Sequence, residues 1–168
     1  GVFLVYLLGK TLFGSRVGIF ASILYAFSFE QTQYAMYFGN PAPAVLSILV
    51  FYLGLTLLIF KKDIKGLPLA FLGYGLSIQF EFFLIYLVTI LGLFFLVFRK
   101  KIRPILNSNI ILITSSVFIV SVSTFILADL KYGFRTAKVL LSLASKTRSE
   151  VTNIGEAFLY YLKRLGLL

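Results

Sequence analysis

Long apolar stretches alternate with short basic ones along this chain. Residues 1–9 are apolar up to Lys10, and residues 17–38 follow Arg16, with Glu30, Gln31 and Gln33 in the outer half of that run. Residues 41–60 carry no charge and end on Lys61, Lys62 and Lys65. Residues 67–98 form the longest run, with one charge, Glu81, close to its middle; Arg99, Lys100, Lys101 and Arg103 follow. Residues 105–128 are uncharged, and Asp129 opens a mixed-charge tail. A helix needs about 20 apolar residues to cross a hydrocarbon core roughly 30 Å thick. Residues 17–38, 41–60 and 105–128 therefore predict one crossing each. Residues 1–9 reach about 14 Å as a helix, roughly half a bilayer, and are read as the tail of a span that begins before Gly1. The alternative, a signal peptide, lacks its basic n-region and small-residue cleavage site.

The positive-inside rule places the three basic clusters on the cytoplasmic side. Residues 67–98 then decide the architecture. Crossing once, they would put one flanking cluster outside and leave Glu81 near mid-membrane, at a cost of roughly 2.5–3.5 kcal/mol or more. Crossing twice, as two short helices of about 21–26 Å each, they keep both clusters inside and lift Glu81 to the outer end. The apex has no Gly or Pro to mark a turn. The hairpin is still preferred, since one rearrangement removes two penalties, and its short legs imply an apex recessed at a cavity floor.

The expected fold is all-α: a polytopic transmembrane bundle of one partial span plus five crossings over residues 1–128, then an extracytoplasmic segment, 129–168. In that segment Phe158, Tyr161, Leu162 and Leu165 share one helical face, which suits a helix on the membrane surface or one packed in an outer domain.

Composition agrees. Of 168 residues, 60% are apolar and 13% charged, against roughly 45–50% and about 25% in soluble domains. A chain this short cannot bury so much apolar surface in a water-soluble core. The absence of Cys and His removes disulfides, Ser-His and Cys-His nucleophile pairs and the usual zinc ligands. Proton transfer falls to carboxylates, Tyr or Lys. The net charge of +10 is read as a topology signal and then as affinity for the bilayer, not for nucleic acid.

On this topology the polar residues collect outside: Glu30, Gln31, Gln33, Tyr34 and Asn40; Gln79 and Glu81; Asp129, Lys131, Tyr132 and Arg135. Carboxylates and amides suit sugar hydroxyls; Lys131 and Arg135 suit a phosphate. Plainer roles exist for several. Glu30 to Gln33 form a solvated helix end, Asn40-Pro41 starts a helix, and Lys131 and Arg135 anchor to headgroups. Nothing structural requires an acid at Glu81.

Four segments carry a family resemblance. Leu7-Leu8-Gly9-Lys10-Thr11-Leu12-Phe13-Gly14-Ser15-Arg16 with the following Ala/Ser-rich helix is similar to GT-C membrane glycosyltransferases, namely protein mannosyltransferases, aminoarabinose transferases and their prokaryotic cousins. Residues 34–43 resemble those cousins' Trp-Asn-Pro-Asn type motif, with Gly39 and Ala42 in place of Trp and the second Asn. Gly75-Leu76-Ser77-Ile78-Gln79-Phe80-Glu81 resembles a Gly-Leu-Ala-x-Gln-x-His segment, with Glu81 in place of His. Asp129-Leu130-Lys131-Tyr132-Gly133-Phe134 resembles a Phe-Asp-Leu-Arg-His-Gly-Phe segment, with Tyr132 in place of His.

The resemblance implies sugar transfer from a polyprenyl-phosphate donor to a protein, lipid or glycan acceptor, on the extracytoplasmic side of the plasma (inner) membrane. A carboxylate would deprotonate the acceptor hydroxyl, and cations or a divalent metal would stabilise the leaving phosphate. The family's catalytic acidic motif follows its first span and is expected upstream of Gly1. Substrate contacts are expected from Glu30, Gln33, Tyr34, Asn40, Gln79, Glu81, Asp129, Lys131 and Arg135; no residue here is assigned to a metal. A transporter or flippase with Glu81 as a proton or cation relay and a non-catalytic scaffold are the competing classes.

Overall fold

The structure is a computed structural model that describes residues 1–29, 32–33, 39, 41–134, 138 and 142. Among the described residues it is all-helical: α1 (Val2–Phe13), α2 (Ser15–Ala26), α3 (Pro41–Phe60), α4 (Gly66–Phe80), α5 (Leu87–Ile102) and α6 (Ser108–Lys131), with 3-10 turns at Phe82–Tyr86 and Arg103–Ile105. The chain divides into two units, Gly1–Thr124 and Phe125–Leu168. Three helical stretches are long and apolar enough to cross a membrane, Ala42–Phe60, Phe82–Ile102 and Ser108–Lys131; Val2–Phe13, Ser15–Ala26 and Gly66–Phe80 are shorter apolar helices.

Two boundaries differ from the sequence reading. Helix α1 continues through Lys10 to Phe13. Lys10 does not end it, because its long side chain carries the charge outward, with Nζ 5.5 Å from the Tyr6 ring centroid. The break comes at Gly14, whose φ of 98° and ψ of 170° favour glycine. Helix α2 stops at Ala26 instead of continuing to residue 38. There the backbone tightens, and Ser28 N–H donates to Tyr25 C=O at 3.3 Å. Helices α1 and α2 fold back on each other, with Gly9 against the Gly18 backbone.

Helix α3 opens on Pro41, a residue whose fixed φ and missing N–H cost nothing in a first turn. Its 20 residues rise about 30 Å. A short connection returns the chain: Lys62 adopts a φ of 53°, and Asp63 Oδ1 accepts from Lys65 N–H at 3.0 Å. Helix α4 then packs on α3 through small residues. Gly66, Ala70, Gly73 and Ser77 recur at helical spacing and are buried. A Cβ on Gly73 would stand 2.7 Å from Ser47 O, and one on Gly66 would stand 2.7 Å from Leu58 N. Close backbone approach through small residues is how helices associate where lipid removes the hydrophobic drive.

Two apolar clusters fix the helix directions. Ala44, Phe51, Leu55, Ala70, Tyr74, Ile78, Leu84, Leu87 and Leu91 form one. Leu58, Ile59, Leu67, Ile102 and Ile110 form the other. The start of α4 therefore lies with the end of α5, and the end of α4 with the start of α5. Helices α4 and α5 therefore run in opposite directions on either side of Glu81. Phe118 of α6 stacks on Tyr74, centroids 5.6 Å apart and rings 7° from parallel, and meets Phe71 edge-on at 5.8 Å. Many large apolar side chains remain exposed, among them Phe20, Phe83, Leu96, Val97 and Val120; a lipid environment covers such surface without cost.

Candidate functional site

Glu81 sits where α4 ends and the return leg begins. Its N–H donates to Ser77 C=O at 2.9 Å, closing the last turn of α4. Its own backbone is extended, with φ −143° and ψ 101°. Its C=O then accepts from Leu84 N–H at 2.9 Å, opening the 3-10 turn. One residue thus caps two helical segments, which is how the chain reverses without Gly or Pro. Anchoring is apolar: Leu84 and Leu87 are buried, and the Tyr74 hydroxyl reaches Ile85 C=O at 3.4 Å. An acid before a helical start also complements the positive end of the helix dipole.

The side chain is half-buried. Among the described residues its carboxylate takes part in no ion pair or hydrogen bond. Gln79, in the last turn of α4, is exposed beside it. Ala44 shares a cluster with Ile78 and Leu84, so the start of α3 lies at the same end as Gln79 and Glu81. The opposite end carries both basic stretches. Leu58, Ile59 and Ile102 meet there, immediately before Lys61, Lys62 and Arg103. Carboxylate and cations are separated by the length of α4, about 22 Å.

The second unit holds Asp129 and Lys131 in the last turns of α6. Phe134 N–H donates to Asp129 C=O at 2.8 Å and Gly133 N–H to Leu130 C=O at 3.1 Å, with Gly133 at a φ of 66°. This is the Schellman ending, which satisfies the last carbonyls of a helix. Asp129 is half-buried and Lys131 exposed. Lys131 Nζ lies 5.9 Å from the Tyr132 ring centroid, a cation–π contact.

The structure places Gln79 in the last turn of α4 and Glu81 at its C-terminal cap. Gln33 is exposed. Glu30, Gln31, Tyr34, Asn40, Arg135 and the tail helix at 156–165 lie outside the described residues. Among the described residues no group of three or more Asp or Glu converges as a metal site would require.

Sequence reasoning missed Ser47 and Tyr74, polar residues that hold this end of the bundle. The small-residue spacing of α4 signals a close helix partner, but nothing in the sequence singles out these two side chains.

The sequence profile of the dolichyl-phosphate-mannose-protein mannosyltransferase family matches residues 1–127, well over half of the chain. No curated protein and no solved structure matches it.

Proposed function

The chain belongs to the dolichyl-phosphate-mannose-protein mannosyltransferase family, and from that premise we propose that it takes part in moving a sugar from a polyprenyl-phosphate donor to an acceptor on the extracytoplasmic side of the plasma (inner) membrane. Three apolar helices of spanning length and the family make it an integral membrane protein. The donor then reaches the site from the lipid, and only its sugar and phosphate need polar partners.

The observation that carries this reading is Glu81: an acid inside an apolar run, half-buried, at the reversal of a helical hairpin. Its carboxylate accepts hydrogen bonds from sugar or acceptor hydroxyls, and Gln79 adds an amide that can donate and accept. Asn40 and Glu30 are assigned to the same hydroxyl-binding chemistry from their residue types alone. Asp129, Lys131 and Arg135, in the second unit, are assigned to phosphate binding from their residue types alone, since positive charge stabilises a departing phosphate. The basic clusters at the far end of the hairpin support an outward-facing Glu81, because such clusters stay cytoplasmic.

The deciding experiment is transfer from a radiolabelled lipid-linked sugar by the full-length protein carrying Glu81→Gln. Reduced transfer with unchanged thermal stability supports the assignment; wild-type transfer removes Glu81 from the site.

A further inference from the structure

At the end of the hairpin away from Glu81, the last turns of α5 and the segment that follows line a cavity of about 590 Å³. Phe95, Arg99, Lys100, Ile102, Arg103 and Leu106 form its walls. The local sequence builds it. Pro104 forces the chain out of α5 into a 3-10 turn, and Leu106 is extended at φ −73° and ψ 126°. Asn107 Oδ1 then accepts from Ile110 N–H at 2.8 Å and starts α6. Arg99 and Arg103 are four residues apart and so share a helical face. Ile102 is buried, and the three cationic side chains are exposed. Among the described residues none of the three is held in an ion pair.

Half of this lining is cationic and half apolar. Cations at a helix C-terminus complement its dipole, but that dipole amounts to only about half an elementary charge. Three full charges exceed it, and among the described residues the excess has no partner. The volume falls in the usual range for small-molecule sites. A free phosphate would use the cations and leave the apolar half unfilled. A zwitterionic headgroup would bring its own ammonium against them.

We propose that this cavity binds an anionic phospholipid, with the phosphate held by Arg99, Lys100 and Arg103 and the first part of an acyl chain against Phe95, Ile102 and Leu106. Paired guanidinium groups suit a phosphate geometrically. The proposal requires a membrane setting and is independent of the sugar-transfer reading.

The test is native mass spectrometry of the full chain released from mixed micelles of phosphatidylglycerol and phosphatidylcholine. One phosphatidylglycerol should be retained in preference to phosphatidylcholine. The Arg99→Gln/Arg103→Gln double variant should lose that preference by about tenfold or more, as expected for lost charge-assisted bonds. Arg99→Lys/Arg103→Lys should keep much of it, which separates binding from misfolding. Lys61→Gln/Lys62→Gln removes equal charge from the neighbouring connection and should leave retention unchanged. Equal loss in that control, equal retention of the two lipids, or displacement of the lipid by millimolar inorganic phosphate would each overturn the assignment.

Discussion

The hydroxyl oxygens of Ser47 and Ser77 lie 2.9 Å apart across the α3–α4 interface, and both residues are buried. Ser47 also faces Ala44 C=O at 2.8 Å, and Ser77 faces Gly73 C=O at 2.7 Å. Two protons thus serve three possible bonds, and one hydroxyl always has an internal carbonyl to fall back on. Ser77→Ala should therefore be mild, about 0.5–1 kcal/mol. Ser77→Leu should cost more, about 1–3 kcal/mol, because it forces the backbones apart. Thermal unfolding in detergent distinguishes the two.

Glycine substitutions should change sign with position. In Gly73→Ala the new methyl group meets Phe51 Cα and Ser47 O, each 2.7 Å from the ideal Cβ. Both are atoms of the partner helix that cannot swing away. The loss should be about 1–3 kcal/mol, despite a gain in helix propensity of roughly 1 kcal/mol. At Gly92, nothing lies within 4 Å of the point a Cβ would occupy, so Gly92→Ala should be neutral or stabilising by up to about 1 kcal/mol. The pair of melting curves separates close packing from propensity.

Thr114 presents the reverse situation. It is buried, and among the described residues its Oγ1 has no hydrogen-bond partner. Burying an unpaired hydroxyl costs on the order of 1–3 kcal/mol. Thr114→Val keeps the shape and removes the penalty, so the variant should be at least as stable as the wild type and up to about 2 kcal/mol more so. A lower melting temperature would mean that the hydroxyl has a partner in the membrane.

For the candidate site, Glu81→Gln keeps shape and hydrogen-bonding capacity but removes the charge. If the carboxylate binds hydroxyls as proposed, transfer should fall about 10- to 100-fold, the equivalent of a charge-assisted bond. The melting temperature should not fall, because no described residue holds the carboxylate in an ion pair or hydrogen bond. Joint loss of stability and transfer would instead assign Glu81 to the fold.

Much of this architecture was legible in the sequence. Pro41 and Lys61 bracket α3 because the first suits a helix start and the second ends an uncharged run. A change of direction within residues 67–98 was expected from the two flanking basic clusters, and the chain turns at Glu81. Lys10 misled because a long cation tolerates a helix interior when its head can leave the apolar layer. The α3–α4 contact was less visible. It rests on small residues, Gly54 against Ala70 and Gly73 against Phe51, which contribute nothing to a hydropathy pattern. Of the candidate site, the Gln79–Glu81 pair could be read because a charge in an apolar run is conspicuous. The serine pair beside it could not, since a buried serine is weakly polar and its partner lies thirty positions away.

The proposed outward placement of Glu81 has a direct test, because the chain contains no Cys and single cysteines report cleanly. Helix α4 has 15 residues, a rise of about 22 Å against a hydrocarbon core of roughly 30 Å. That leg is short of the core, but the return leg, Phe82–Ile102, has 21 residues and is long enough to cross, so the proposed topology brings the reversal to the outer side, where Glu81 is half-buried. In intact cells, Glu81→Cys should react with a membrane-impermeant maleimide, more slowly than a fully exposed thiol. Lys62→Cys and Lys101→Cys should react only after the membrane is permeabilised, since both lie by the cluster of Leu58, Ile59, Leu67, Ile102 and Ile110. A Glu81→Cys thiol that stays unreactive from both sides would place the carboxylate in hydrocarbon, where it could meet neither donor sugar nor acceptor. Labelling of Lys62→Cys without permeabilisation would invert the hairpin and move the proposed site to the cytoplasmic face.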